Sequence, residues 1–242
     1  MFKRGVSALV GLLLSFLIFG LVQPAFSAQA ERILDFHSRI QVHQDGSMTV
    51  TENIRVVCAG KQIKRGIYRD FPSKYKDRYG NTVRVGFEVV TVLRDDHPAP
   101  YHIKQLSNGE RVYIGQKKVF LRPATYTYTI TYRTYGGLGF FRDFDELYWN
   151  VTGHGWGFVI NRAEAVIELP LGADILNNAA YTGRYGGKGQ DFTTGYDEQG
   201  NISFTTTRPL MPKEGLTIAV AWPKGIVTES TFVDKLRQMN AP

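Results

Sequence analysis

Between Phe140 and Trp156 the sequence reads FFRDFDELYWNVTGHGW, placing three carboxylates, Asp143, Asp145 and Glu146, within a few residues of Trp149, His154 and Trp156. Carboxylates accept hydrogen bonds from hydroxyls and indole rings offer flat apolar platforms, so these six residues are a candidate ligand site of carbohydrate type. Calcium is a poorer match, because that ion takes about six to eight oxygen ligands and the segment is short of donors. A glycosidase needs two carboxylates at a set separation in space, which spacing along the chain does not supply. A structural reading stands beside the chemical one: Tyr148 and Trp149 pack in a core and the acids occupy the preceding turn.

Glu52 is the second residue of interest. Met48, Val50, Ile54 and Val56 lie on its side of an alternating stretch, so the pattern predicts a carboxylate that faces the core. A buried carboxylate needs a partner. The nearest cations are Arg65 and Arg69 in the run KRGIYRDFP, and a structural ion pair is expected in preference to a catalytic acid. Residues 61–84 hold eight basic side chains against two acidic ones. Within them Lys61, Lys64, Lys74, Lys76 and Arg78 are candidate contacts to an anionic membrane surface or envelope polymer, with a solvated loop as the bland alternative. The five histidines show no metal-ligand spacing, and the glycines of residues 182–190 do not follow a phosphate-loop pattern. No metal or cofactor is therefore expected.

The elements that must position these residues are strands. From Ile33 onward the hydrophobic period is two, rich in β-branched and aromatic residues and punctuated by Gly, Asn and Asp. A hairpin is predicted over 36–43 and 48–57, closed by Asp45-Gly46. Further strands are expected over 82–94, 101–106, 111–114, 118–121, 125–134, 147–152, 158–160, 163–169, 174–182, 201–207 and 216–222. Residues 125–134 alternate tyrosine or isoleucine with threonine, as a half-buried strand should. No helix-period segment separates the strands, so the expected fold class is all-β, an antiparallel β-sandwich of residues 31–227 that admits two packed halves divided near 136–146. Residues 182–190 read as a mobile loop and 228–242 as a short tail.

The address is outside the cytoplasm. Lys3 and Arg4 precede an apolar run over 6–22, then Pro24 and Ala28-Gln29-Ala30, which is the order of a secretory signal peptide ending at residue 30. The apolar run approaches a bilayer span in length, so an uncleaved N-terminal anchor is the competing expectation. The expected location is periplasmic or extracellular, with membrane anchoring as the variant, and nucleic acid is not an expected partner. The single cysteine, Cys58, has no partner for a disulfide within the chain and sits in apolar alternation, which predicts a buried thiol.

Several motifs occur in a characteristic order: Ile40-Gln41-Val42 with Asp45-Gly46-Ser47, Val50-Thr51-Glu52, residues 65–72 as RGIYRDFP, residues 146–153 as ELYWNVTG with Trp156, Leu169-Pro170, and residues 222–225 as WPKG. This set resembles the N-terminal domain of the YciQ-like predicted membrane proteins, domain-of-unknown-function family 2207. The resemblance implies an extracytoplasmic β-rich domain without assigned activity, normally followed by transmembrane helices, and it transfers no catalytic residue. The expected function is non-catalytic binding of an envelope protein or polymer through exposed loops, and the alternative is a carbohydrate-binding or carbohydrate-active domain built on residues 143–156.

Overall fold

The computed structural model describes residues 30–76 and 82–229, with the backbone alone at 75–76 and 82–84. The expected signal segment up to residue 29, Arg78 and residues 230–242 of the tail lie outside the described residues. The strands are β1 (Arg32–Val42), β2 (Ser47–Cys58), β3 (Gly66–Pro72), β4 (Lys74–Lys76), β5 (Thr82–Arg84), β6 (Gly86–Arg94), β7 (His97–Pro98), β8 (Tyr101–Leu106) and β9 (Gly109–Gly115). They continue as β10 (Ala124–Tyr135), β11 (Leu138–Phe140), β12 (Phe144–Asn150), β13 (Ala163–Glu168), β14 (Asn177–Gly183), β15 (Phe192–Tyr196), β16 (Ile202–Thr206) and β17 (Gly215–Pro223). Among the described residues there is no helix, and the fold is all-β.

An eight-stranded sheet, ordered β15-β16-β13-β1-β2-β10-β6-β7, is the backbone of the domain. A four-stranded sheet, β11-β12-β17-β14, and a three-stranded sheet, β3-β9-β8, add their apolar faces to the same contiguous core. Alternation explains the layering: Met48, Val50, Ile54 and Val56 of β2 and Tyr128, Ile130 and Tyr132 of β10 all point inward and are buried. The opposite face carries the threonines, which bond across the strands, Thr51 Oγ1 to Thr131 Oγ1 at 3.2 Å and Thr129 Oγ1 donating to Asn53 Oδ1 at 2.8 Å. The three-stranded sheet docks by stacking Phe71 on Phe87, ring centroids 4.4 Å apart, and against Tyr132 at 4.7 Å.

One pairing departs from the antiparallel expectation. β1 and β13 run parallel, from Phe36 beside Ala163 to Gln41 beside Glu168. This pair brings residues from either side of 136–146 into one sheet, so the two parts of the chain interleave. Residues 118–121, expected as a strand, form part of a connecting loop, and residues 158–160 contribute only the bridge of Ile160 to Ile33 and Leu210. Within 182–190, Thr182 and Gly189 bridge each other through reciprocal backbone bonds.

Two loops link the large sheet to the three-stranded one at the same end. Cys58 pairs with Ala124 and Gly66 with Gly115, so residues 59–65 and 116–123 must run side by side. Leu121 N–H donates to Lys64 O at 2.9 Å, and the buried Cys58 Sγ donates to Ile63 O at 2.9 Å. Glu31 organises the first loop: its carboxylate accepts the backbone N–H groups of Ala59, Lys61, Gln62 and Ile63 at 2.7–3.2 Å. Partial burial acts to raise its pKa, and the four N–H donors outweigh that and hold it below 4.5. The glycines at the loop exits have a steric reason. Gly66 and Gly115 have φ of 143° and 132°, and a Cβ on either would collide with the facing backbone carbonyl, Ile114 O or Arg65 O.

Two outcomes follow. Gly115→Ala is expected to destabilise the domain by at least about 2 kcal/mol in urea unfolding, whereas Gly157→Ala, which meets open space, stays within about 0.5 kcal/mol. Glu31→Gln is expected to lower the melting temperature at pH 7. Because the folded carboxyl titrates below its unfolded value of 4.5, the wild-type advantage is complete above that pH and fades as pH falls through the folded pKa. A melting difference that stays constant from pH 7 to pH 3 would show that the carboxylate charge plays no part.

Candidate functional site

Glu52 is fully buried at the centre of β2, and Arg69 comes to it from β3. The guanidinium grips the carboxylate with both arms, Nε to Oε2 at 2.8 Å and Nη2 to Oε1 at 2.9 Å. Arg69 also donates from Nη2 to Val151 O at 2.9 Å, just beyond the end of β12, and from Nη1 to Asp70 O at 3.1 Å. Tyr132 OH completes the shell by donating to Glu52 Oε1 at 3.1 Å. Burial disfavours the Arg69 cation, but the adjacent Glu52 charge outweighs it and raises the pKa; burial and then Glu52 push the Tyr132 phenol well above its ordinary value. The cluster is a closed structural network with one acid, one base and no open position. Arg65, the other cation expected near Glu52, lies on the outside with its guanidinium 4.3 Å from the Phe120 ring centroid. Gly66 begins β3 with a positive φ, so Arg65 falls outside the strand whose alternation aims Arg69 inward.

The segment 143–156 divides between the two sides of its sheet. Asp143 is exposed in the turn before β12. Asp145 is fully buried and is held by Lys224 Nζ at 2.8 Å, with that ammonium also 5.1 Å from the Phe140 ring centroid. Trp149 turns inward, half-buried near Met48 and Gly137. Trp156 is buried edge-on to Phe36 and donates its indole N–H to Thr152 O at 2.9 Å. The two indoles are therefore core and turn-locking groups, and no stacking platform forms from them. Gly153 is part of the same lock: its φ is 73°, and a Cβ there would lie 2.7 Å from Arg69 Nη1.

Glu146 and His154 remain on the outer side, with neighbours that proximity along the chain does not reveal. Register across β12, β17 and β14 sets out three rows, Tyr148-Ala219-Ala179, Glu146-Ala221-Asn177 and Asn150-Thr217-Tyr181, with the β17 residue in the middle of each. The central strand β17 thus offers small side chains, and Tyr148 and Tyr181 rise on either side of this alanine floor as a shallow groove. Tyr185 closes one end, its ring T-shaped to His154 at 5.9 Å. Tyr148 is 60% exposed and Tyr185 91% exposed. Burial raises the Tyr148 phenol pKa, with Tyr181, Tyr185 and Glu146 adding to it. Burial also holds His154 below 6.5, so the imidazole is neutral at pH 7, and its Nδ1 lies 2.9 Å from Asn150 Nδ2. Burial alone raises the Glu146 carboxyl. The groove is aromatic, with an amide, an imidazole and the Glu146 carboxyl at its rim.

Compared with known proteins, residues 32–222 match the family model described as "Predicted membrane protein (DUF2207) N-terminal domain". The chain belongs to this family. The DUF2207 domain here is 28% identical over 204 residues to the uncharacterized protein YciQ of Escherichia coli strain K12, covering 83% of this chain and 31% of that protein. This chain thus spans about a third of that relative's length. Among solved structures, native yeast LTA4 hydrolase superposes with a TM-score of 0.50 at 12% identity, covering 81% of this chain and 29% of the other. The same enzyme in complex with bestatin gives 0.50 at 13%, covering 80% and 29%. At this identity the likeness is one of fold alone.

The basic run of this DUF2207 domain is parted by β3. Lys61, Lys64 and Arg65 are exposed before that strand, whereas exposed Lys74 follows it, about 23 Å away for seven extended residues. Lys76 is placed by its backbone only. Between the two ends, Asp70 holds Arg111 through two bonds, Nε to Oδ1 at 2.5 Å and Nη2 to Oδ2 at 2.8 Å. Among the described residues no group of three or more His, Cys, Asp or Glu is placed to hold a metal ion.

Glu52→Gln is expected to cost about 3–5 kcal/mol, because it leaves the buried Arg69 cation without its countercharge. In a double-mutant cycle, Glu52→Leu with Arg69→Met should cost clearly less than the sum of the two single changes, and additive costs in urea unfolding would show that the pair is not coupled.

Proposed function

We propose that this chain is a non-catalytic, extracytoplasmic recognition module of a membrane-associated protein, which holds a component of the cell envelope in the groove over β12, β17 and β14. The observation that carries the reading is the groove itself: an alanine floor between Tyr148 and Tyr181, with Tyr185, His154, Asn150 and Glu146 around it. Broad aromatic rings on a rigid sheet bury large areas with little loss of side-chain freedom, and the surrounding amide, imidazole and carboxyl supply direction. A flat-floored trough with aromatic walls and polar groups at its rim fits a glycan strand. The pairing of the buried acids supports binding over catalysis, since Glu52 is held by the buried Arg69 and Asp145 by the partly exposed Lys224. The signal-like sequence over residues 1–30 and membership of a predicted membrane protein family support the location. The likeness to yeast LTA4 hydrolase supports a scaffold of this shape and brings no residue of that enzyme with it.

The test is retention of solubilised envelope material by the purified chain at low and high salt. Wild type is expected to retain a component at high salt that soluble glycans displace, and Tyr148→Ala with Tyr181→Ala should lower that retention about tenfold or more while leaving the melting temperature within about 2 °C. Equal retention by wild type and the double variant would overturn the assignment to this groove. A retained protein that glycans fail to displace would replace the polymer by a protein partner.

A further inference from the structure

The paired loops 59–65 and 116–123 form a second surface of different chemistry. Their side-by-side course collects six exposed cations at one end of the sandwich: Lys61, Lys64 and Arg65 from the first loop, Lys117, Lys118 and Arg122 from the second. None of the six joins an ion pair among the described residues. The acids at this end are Glu31, whose oxygens face four backbone N–H groups, and the Asp95-Asp96 turn, where Asp95 Oδ1 accepts Thr127 N–H and Arg94 lies alongside. Cations therefore predominate. Between them, a turn closed by Val119 N–H to Gln116 O presents Val119 at 46% and Phe120 at 63% exposure, the latter under the Arg65 guanidinium.

We infer that this tip docks on the surface of an anionic lipid bilayer, with Val119 and Phe120 entering the head-group boundary and the six cations facing the lipid charges. Cations alone would suit any polyanion. Apolar side chains exposed among them favour an occupant with an apolar interior, and a bilayer has one within a few ångströms of its charged surface. The course of the chain agrees with the anchor reading of the N-terminal segment: kept as an anchor, the apolar run over residues 6–22 leads into the domain through Ala30 and Glu31, at this same end. The tip shares no residue with the groove, so either reading can fail without the other.

The experiment places a reporter at the tip of the full chain. Phe120→Trp adds an exposed indole, and its fluorescence is read against the parent in vesicles of phosphatidylcholine alone and of phosphatidylcholine with about a third phosphatidylglycerol, each with and without brominated acyl chains. Quenching of the added signal by bromolipid is expected in the anionic vesicles. It should fall about tenfold or more on adding Lys117→Glu and Lys118→Glu, or on raising salt to about 0.5 M. The parent's melting temperature should be kept by each variant. A signal left unquenched in both vesicles, or quenched equally in neutral and anionic ones regardless of salt and charge reversal, overturns the inference. Binding to soluble polyphosphate without bromolipid quenching assigns the tip to a soluble polyanion instead.

Discussion

A single bidentate ion pair ties the three principal sheets to one another. Glu52 belongs to the eight-stranded sheet, Arg69 to the three-stranded sheet, and the Val151 carbonyl that Arg69 also engages follows directly from the four-stranded sheet. Sheet faces that meet only through apolar side chains can slide, since hydrophobic attraction has no direction. A guanidinium with five fixed donors has direction, and here it settles which strand lies over which. The surrounding residues read as accommodations to it. Tyr132 supplies a hydroxyl to the carboxylate, Phe36 and Phe71 lie within 5.6 Å and 5.0 Å of the guanidinium carbon, and Gly153 gives up its side chain to leave room.

How much of this was legible in the sequence depends on whether the informative neighbours were local. Glu52 stood out because four apolar residues share its parity, and the structure places it among them at the core. Arg69 shares parity with Ile67 and Phe71, both buried, so the strand Gly66–Pro72 contained the signal that separates it from Arg65. The aromatic-acidic segment misled for the same reason. Seven residues of strand send Asp145, Leu147 and Trp149 to one side and Glu146, Tyr148 and Asn150 to the other, so closeness in sequence is no closeness in space. Tyr181 and Tyr185 reach Tyr148 only because β14 pairs with β17 and β17 with β12, and no local pattern announces that order. Likewise Lys117 and Lys118 meet Lys64 through two strand pairings some fifty residues apart in sequence.

The surfaces left over differ in the side chains that the strands discard outward. On β17 these are alanines and a threonine, too small to fill the space between the flanking tyrosines, which is how a flat sheet comes to hold a trough. On β2 and β10 they are arginines together with threonines and an asparagine, of which Thr51, Thr131, Thr129 and Asn53 bond laterally and leave a polar wall. Loops carry the charge at one end because both connections there must cross from one sheet to another and have no partner to alternate against.

The parallel pairing of β1 with β13 has a kinetic meaning. β1 is among the first segments of the domain to be synthesised, yet one of its two neighbours arrives only after more than a hundred further residues, by way of β2 through β12. Until then the edge of β1 is open, Ile33, Phe36 and Ile40 lack half their cover, and closing so long a loop delays the collapse that would hide them. The order of strands along the chain thus leaves the large sheet incomplete until β13 has been made, well after the β1–β2 hairpin can close.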